Sequence, residues 1–67
     1  MNRIIIDSKA GSFDYLEIVL CKIDNEYTPF VTWLHNKTDN GFYHGSYHSN
    51  LTEALADFNN RGAAWIL

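Results

Sequence analysis

The sequence predicts an α+β fold, a four-stranded antiparallel sheet followed by one C-terminal helix packed on one of its faces, in the order ββββα. Three observations predict it. Short β-branched and aromatic runs recur with turn residues between them: RIIID, FDYLEIVLCKI, YTPFVTWLH and FYHGSYH. The last part of the chain, NLTEALADFNNRG, changes to apolar spacings of three and four behind a capping residue. The length of 67 residues has room for one small domain, residues 1–67.

Arg3–Asp7 is a short β-branched strand, stopped by the turn residues Ser8–Ser12. Phe13–Ile23 alternates on both sides. Leu16, Ile18 and Leu20 share one face; Phe13, Tyr15, Val19, Cys21 and Ile23 share the other, interrupted by Glu17. A strand apolar on both faces sits centrally and needs two covers. The helix supplies one, and a second subunit is expected to supply the other. Asp24–Glu26 is a turn. Tyr27–His35 is the third strand, with Pro29 placing its start at an edge or a bulge. Asn40-Gly41 suits the positive φ angles of a hairpin turn, and Phe42–His48 runs back as the fourth strand. Gly45 within it marks a bulge or the close approach of a large group such as Trp33.

The helix spans about 51–61. Asn50 caps it, with Glu53 at the reciprocal position. Leu51, Ala54, Leu55 and Phe58 form its apolar stripe, Arg61 suits the last turn, and Gly62 suits the left-handed position beyond it.

Charge and composition narrow the functions. Five Lys and Arg against eight Asp and Glu leave a net charge of −3, with no basic cluster to meet phosphates, so no nucleic-acid partner is expected. No apolar run approaches the ~20 residues of a membrane span, and Met1–Ser12 lacks the apolar core of a signal peptide. The expected compartment is the cytoplasm. Cys21 is the only cysteine, so no disulfide braces the chain. Ten of the 67 residues are Phe, Tyr or Trp, which compensates with large buried area per residue.

The segments PFVTW (29–33) and GFYHGSYHSNLTEALADFNNR (41–61) resemble parts of short uncharacterised proteins carried by bacterial phages and mobile elements. Those have a strand ending in a Val-Thr-Trp-like triplet, a Gly-aromatic strand and a helix with a Glu-Ala-x-x-Asp-Phe pattern, which falls here on Glu53–Phe58. The resemblance covers about half of the chain. It implies a genomic setting and carries no chemistry with it.

Three histidines invite a metal reading. With a four-residue loop at 38–41, His35 faces His44 across the hairpin, and His48 shares that face; a cross-strand imidazole pair is one way to hold zinc or copper. An odd loop length dissolves the cluster. The plainer reading is a solvated face, and no metal or cofactor is expected. Catalysis has less support. Cys21 lies mid-strand, and Ser46 between His44 and His48 lacks a buried acid and an oxyanion-holding loop. No enzyme is expected. Glu17 reads as the rim of its face or as a partner of a Tyr.

The expected role is a small module that binds another protein, plausible as a phage or mobile-element accessory factor that inhibits or modulates a host protein by stoichiometric contact. The expected interface draws on Val19, Cys21, Ile23, Trp33, Tyr43, Tyr47, Trp65, Ile66 and Leu67. A homodimer is expected as well, because the second apolar face and the tail need cover. The alternative is a small metal-binding protein using His35, His44 and His48.

Overall fold

In the computed structural model, residues 3–11 and 13–61 are described. Four antiparallel strands lie in one open sheet in the order β1-β2-β3-β4: Arg3–Ala10, Leu16–Ile23, Phe30–Asn36 and Gly41–His48. One helix, α1 (Leu51–Asn60), packs across β2, β3 and β4 and leaves β1 uncovered. Gly62, Trp65, Ile66 and Leu67, which carried part of the sequence reading, lie outside the described residues.

The strands depart from expectation at their ends, for local reasons. β1 runs on through Ser8, Lys9 and Ala10, which pair with Val19, Ile18 and Glu17 after a bulge at Ile6. β2 starts at Leu16, because the Leu16 N–H bonds the Phe13 carbonyl at 2.9 Å and closes a turn over 13–15. Phe13 and Tyr15 stack on each other outside the sheet, with ring centroids 5.6 Å apart. β3 starts at Phe30. Pro29 stands just outside it, where a missing N–H costs nothing, and its carbonyl accepts from Ile23 N–H at 2.8 Å. Asn25 Oδ1 holds the intervening turn by accepting from the N–H groups of Tyr27 and Thr28.

α1 begins as expected. Asn50 has an extended backbone, and its side chain accepts from Glu53 N–H at 2.9 Å. The apolar stripe is narrower than its spacing suggests. Ala54 and Phe58 are buried, while Leu51 and Leu55 stay exposed. The reason is placement: the helix backbone stands over β2, β3 and β4, and β1 reaches the helix through the Lys9 side chain, at Phe58 and Asn59, so the flank carrying Leu51 and Leu55 overhangs the sheet. Arg61 is the C-cap; its backbone N–H bonds the Asp57 carbonyl.

β2 divides its side chains as the alternation requires. On the helix side Leu16, Ile18 and Leu20 pack with Leu34, Ala54 and Phe58. On the far side Val19, Cys21 and Ile23 pack with Val31, Trp33 and Phe42. This far side needs no second subunit. The Arg3 guanidinium, from β1, lies 3.9 Å from the Phe42 ring centroid on β4 and 4.9 Å from that of Trp33. Side chains of the two edge strands thus meet across this face, and the sheet curls over it, helped by a bulge in each edge strand. Val19 and Cys21 have no exposed surface, and Ile23 and Trp33 only 7%. In the folded single chain Val19 and Cys21 present no surface to a partner, and Ile23 and Trp33 only a sliver, which corrects their place in the expected interface.

Candidate partner-binding edge

β4 forms the edge opposite β1. It is launched by a four-residue turn, 37–40, with Asn36 pairing Gly41. Asn36 Oδ1 accepts from Thr38 N–H and Asp39 Oδ1 from Gly41 N–H. Of the Asn40-Gly41 pair only Asn40 is left-handed (φ 57°), a conformation Asn tolerates better than most residues. Gly41 leaves room for the Tyr43 ring: a Cβ there would lie 2.5 Å from the Tyr43 hydroxyl oxygen and displace it.

Tyr43 folds back over this turn and donates its hydroxyl to Asp39 Oδ2 at 2.6 Å. That bond, with the Gly41 N–H, holds the Asp39 carboxyl below the usual carboxylate range, and the same bond raises the Tyr43 phenol. A carboxylate with a lowered folded value stabilises the fold above its unfolded value of about 3.9. The contribution fades as pH falls through the folded value. Tyr43→Phe is therefore expected to flatten part of the acid limb of a melting-temperature-against-pH curve below about pH 4; an unchanged acid limb contradicts the pairing.

Register places the histidines apart. His35 pairs with Phe42 and stacks on its ring, centroids 4.4 Å apart. Between the pairs Leu34–Tyr43 and Thr32–Ser46, β4 carries two residues, His44 and Gly45, against the single Trp33. His44 takes the left-handed conformation (φ 56°) at this bulge. The extra residue flips the remainder of the strand. Ser46 and His48 turn toward the helix with Tyr43, while Tyr47 lies with Trp33 on the far side. So His35 and His48 occupy opposite faces, and neither stands across from His44. Tyr43 and Tyr47 also lie on opposite faces. Among the described residues no three His, Cys, Asp or Glu side chains gather as metal ligands.

The bulge has a packing cause. A Cβ on Gly45 would lie 2.5 Å from Trp33 Nε1 and 2.9 Å from Cδ1, so the indole fills the space a side chain would need. Trp33 is buried between Phe42 and Tyr47, both meeting it edge-on. Gly45→Ala is expected to cost about 1–3 kcal/mol by overpacking. Urea unfolding with no shift in midpoint would show that the indole is not fixed there.

Two polar groups were missed by the sequence reading. Glu17 Oε2 is 2.7 Å from His35 Nδ1, directly across the β2–β3 ladder, and His35 Nε2 is 2.8 Å from Asn40 Oδ1. Glu17 therefore braces a His, not a Tyr, and ties β2 to the 37–40 turn. Under the helix, Asp57 is a hub. Its Oδ2 accepts from the fully buried Thr32 hydroxyl and lies 3.3 Å from Arg61 Nε and 3.4 Å from His48 Nε2. Arg61 also donates to the Thr32 carbonyl at 3.4 Å. Burial lowers the Arg61 value, and the Asp57 charge works against that. The signal was present in PFVTW, where a Thr on the helix-facing side of an apolar strand needs a polar partner.

Ser46, His48 and Asp57 do not form a catalytic triad. Ser46 Oγ (3.2 Å) and Asp57 Oδ2 (3.4 Å) both approach Nε2 of His48, whereas a relay needs them on opposite ring nitrogens. Cys21 is buried, and that burial pushes its thiol up, away from the reactive thiolate, although the Arg3 charge opposes the shift. No cavity opens among the described residues. No helix among them is long and apolar enough to cross a membrane.

The edge of β4 remains. Tyr47 is 52% exposed yet held edge-on against Trp33; Tyr43 is 38% exposed yet held by Asp39. The two rings flank this edge strand, one on each face. No family model, curated protein or solved structure matches the chain.

Proposed function

We propose that the protein is a small non-enzymatic binding module that acts by stoichiometric contact with another protein along the β4 edge. The observation that carries this is the pair Tyr43 and Tyr47. Both are exposed, and both are fixed in place by contacts inside the chain. An aromatic that is already ordered loses little side-chain freedom on binding, and such residues dominate interface energetics. An extended segment laid on β4 would bond its backbone and touch one ring on each face. The resemblance of residues 29–33 and 41–61 to phage and mobile-element proteins favours an accessory factor that modulates a host protein in the cytoplasm.

The test is quantitative capture from extracts of the encoding organism with the wild-type chain and with Tyr43→Ala/Tyr47→Ala. Both must give the same far-UV spectrum. A partner retained at one-to-one ratio by wild type and lost by the double variant supports the reading; equal retention of the same partners by both refutes it.

A further inference from the structure

We propose that the other edge, β1, pairs with β1 of a second copy of this chain, antiparallel and centred on Ser8, so that two sheets join into one. This edge lies across the molecule from the partner-binding edge proposed above, and the inference stands independently of it.

β1 is open in three respects. It is an edge strand, the helix backbone stands off it and meets it at the Lys9 side chain, and Ile4, Ile5 and Ile6 are exposed by 64%, 54% and 45%. A long apolar edge of this kind is a template for another strand. Its free backbone groups can be assigned. Gly11 N–H bonds the Leu16 carbonyl, and Ile23 N–H turns the other way, to Pro29. In an antiparallel ladder the backbone groups alternate in direction. Leu16, Ile18 and Leu20 therefore bond toward β1, their partners Gly11, Lys9 and Asp7 face inward, and Ser8 and Ala10 face the open side.

Charge then selects the register. Centred on Ser8, a two-fold pairing sets Asp7 of each copy beside Lys9 of the other, twice by symmetry, and sets Ile6 opposite Ala10. A centre one residue earlier puts Asp7 against Asp7; one residue later puts Lys9 against Lys9. Directly opposed like charges destabilise a ladder, and opposite charges support it. Asp7 and Lys9 pair with Leu20 and Ile18, so both project on the helix-bearing side, where they can meet. At present the Ser8 N–H donates to Asp7 Oδ1 at 2.8 Å, while Lys9 Nζ donates to the Asn59 carbonyl at 3.4 Å and stands over the Phe58 ring. Pairing gives the Ser8 N–H a carbonyl of the second copy and releases Asp7 for the second copy's Lys9, whose ammonium has donors to spare. A two-fold normal to the sheet leaves both helices on one side. Leu51 and Leu55, on the flank opposite Asp57, then border the joined β1 strands together with Ile4, and this encloses apolar surface now in water.

Sedimentation equilibrium of the full chain tests this. Wild type is expected to rise with concentration from the 7.7 kDa chain mass toward twice that value. Asp7→Lys and Lys9→Asp should each raise the dimer dissociation constant at least about tenfold, and the exchanged double variant should return to within about threefold of wild type. Because Lys9 also touches Phe58, a disulfide test accompanies these. Ser8→Cys should cross-link on mild oxidation, since a hydrogen-bonded antiparallel pair sets the two α-carbons about 5.5 Å apart; Lys22→Cys, exposed but off the axis, should not. A mass that stays at 7.7 kDa through the micromolar range overturns the proposal, as do association indifferent to both single reversals or equal cross-linking at 8 and 22.

Discussion

Phe58→Ala is expected to lower the unfolding free energy by about 3–5 kcal/mol, the largest effect of any single substitution in the helix. Phe58 is 4% exposed and fills the layer between α1 and the side chains Leu16, Ile18, Leu20 and Leu34. With only Ala54 as a second buried helical residue, nothing on α1 can move in to close the void. Leu55→Ala, one turn earlier on the exposed flank, should cost less, because that side chain keeps 38% of its exposure and its truncation opens no enclosed void. Urea unfolding of the two variants, compared at constant slope, checks the contrast. Equal midpoints would mean that the helix docks through its Leu51–Leu55 flank instead.

Asp57→Ala is the second large effect, expected at about 2–4 kcal/mol. It removes a counter-charge from Arg61, whose residue surface is only 9% exposed, and leaves the Thr32 hydroxyl without its Asp57 acceptor in a fully buried position. The figure sits below the upper end for buried pairs because the Asp57 side chain keeps 27% of its exposure. Pairing the substitution with Thr32→Val separates the two contributions, since the hydroxyl that needs the acceptor is then gone. If Asp57→Ala costs the same with and without Thr32→Val, the hydrogen bond contributes nothing and the contacts with Arg61 and His48 carry the whole effect. If it costs nothing in either background, the hub has no energetic role.

The order of elements was legible because each rests on local chemistry: β-branched runs, the Asn25 turn, the Asn40-Gly41 turn, the Asn50 cap. The two-sided character of β2 was legible for the same reason, since a period of two needs no tertiary information. Register was not. Gly45 did announce a bulge and the nearness of Trp33, but an inserted residue reverses the parity of everything after it. The even loop alone would have gathered the histidines; the bulge at His44 and Gly45 undoes that. The closing of the far side was hidden too, because Arg3 and Phe42, whose side chains meet there, stand some forty residues apart in the chain. An alternating pattern says that a face is apolar and is silent on what lies over it. That is why Val19, Cys21 and Ile23 looked like surface awaiting a partner and are instead core. Tyr43 and Tyr47 keep exposed surface because their strand is an edge.

Partner binding along β4, as proposed, is read residue by residue by hydrogen exchange of the chain alone and in complex with the captured partner. The predicted result is slowed exchange of the outward amides within Gly41–His48 on binding, with the Asn36–Gly41 turn slowed beside them and the β2 amides unchanged. Protection confined to β1 or to the exposed flank of α1, with β4 exchanging as fast as in the free chain, would contradict it.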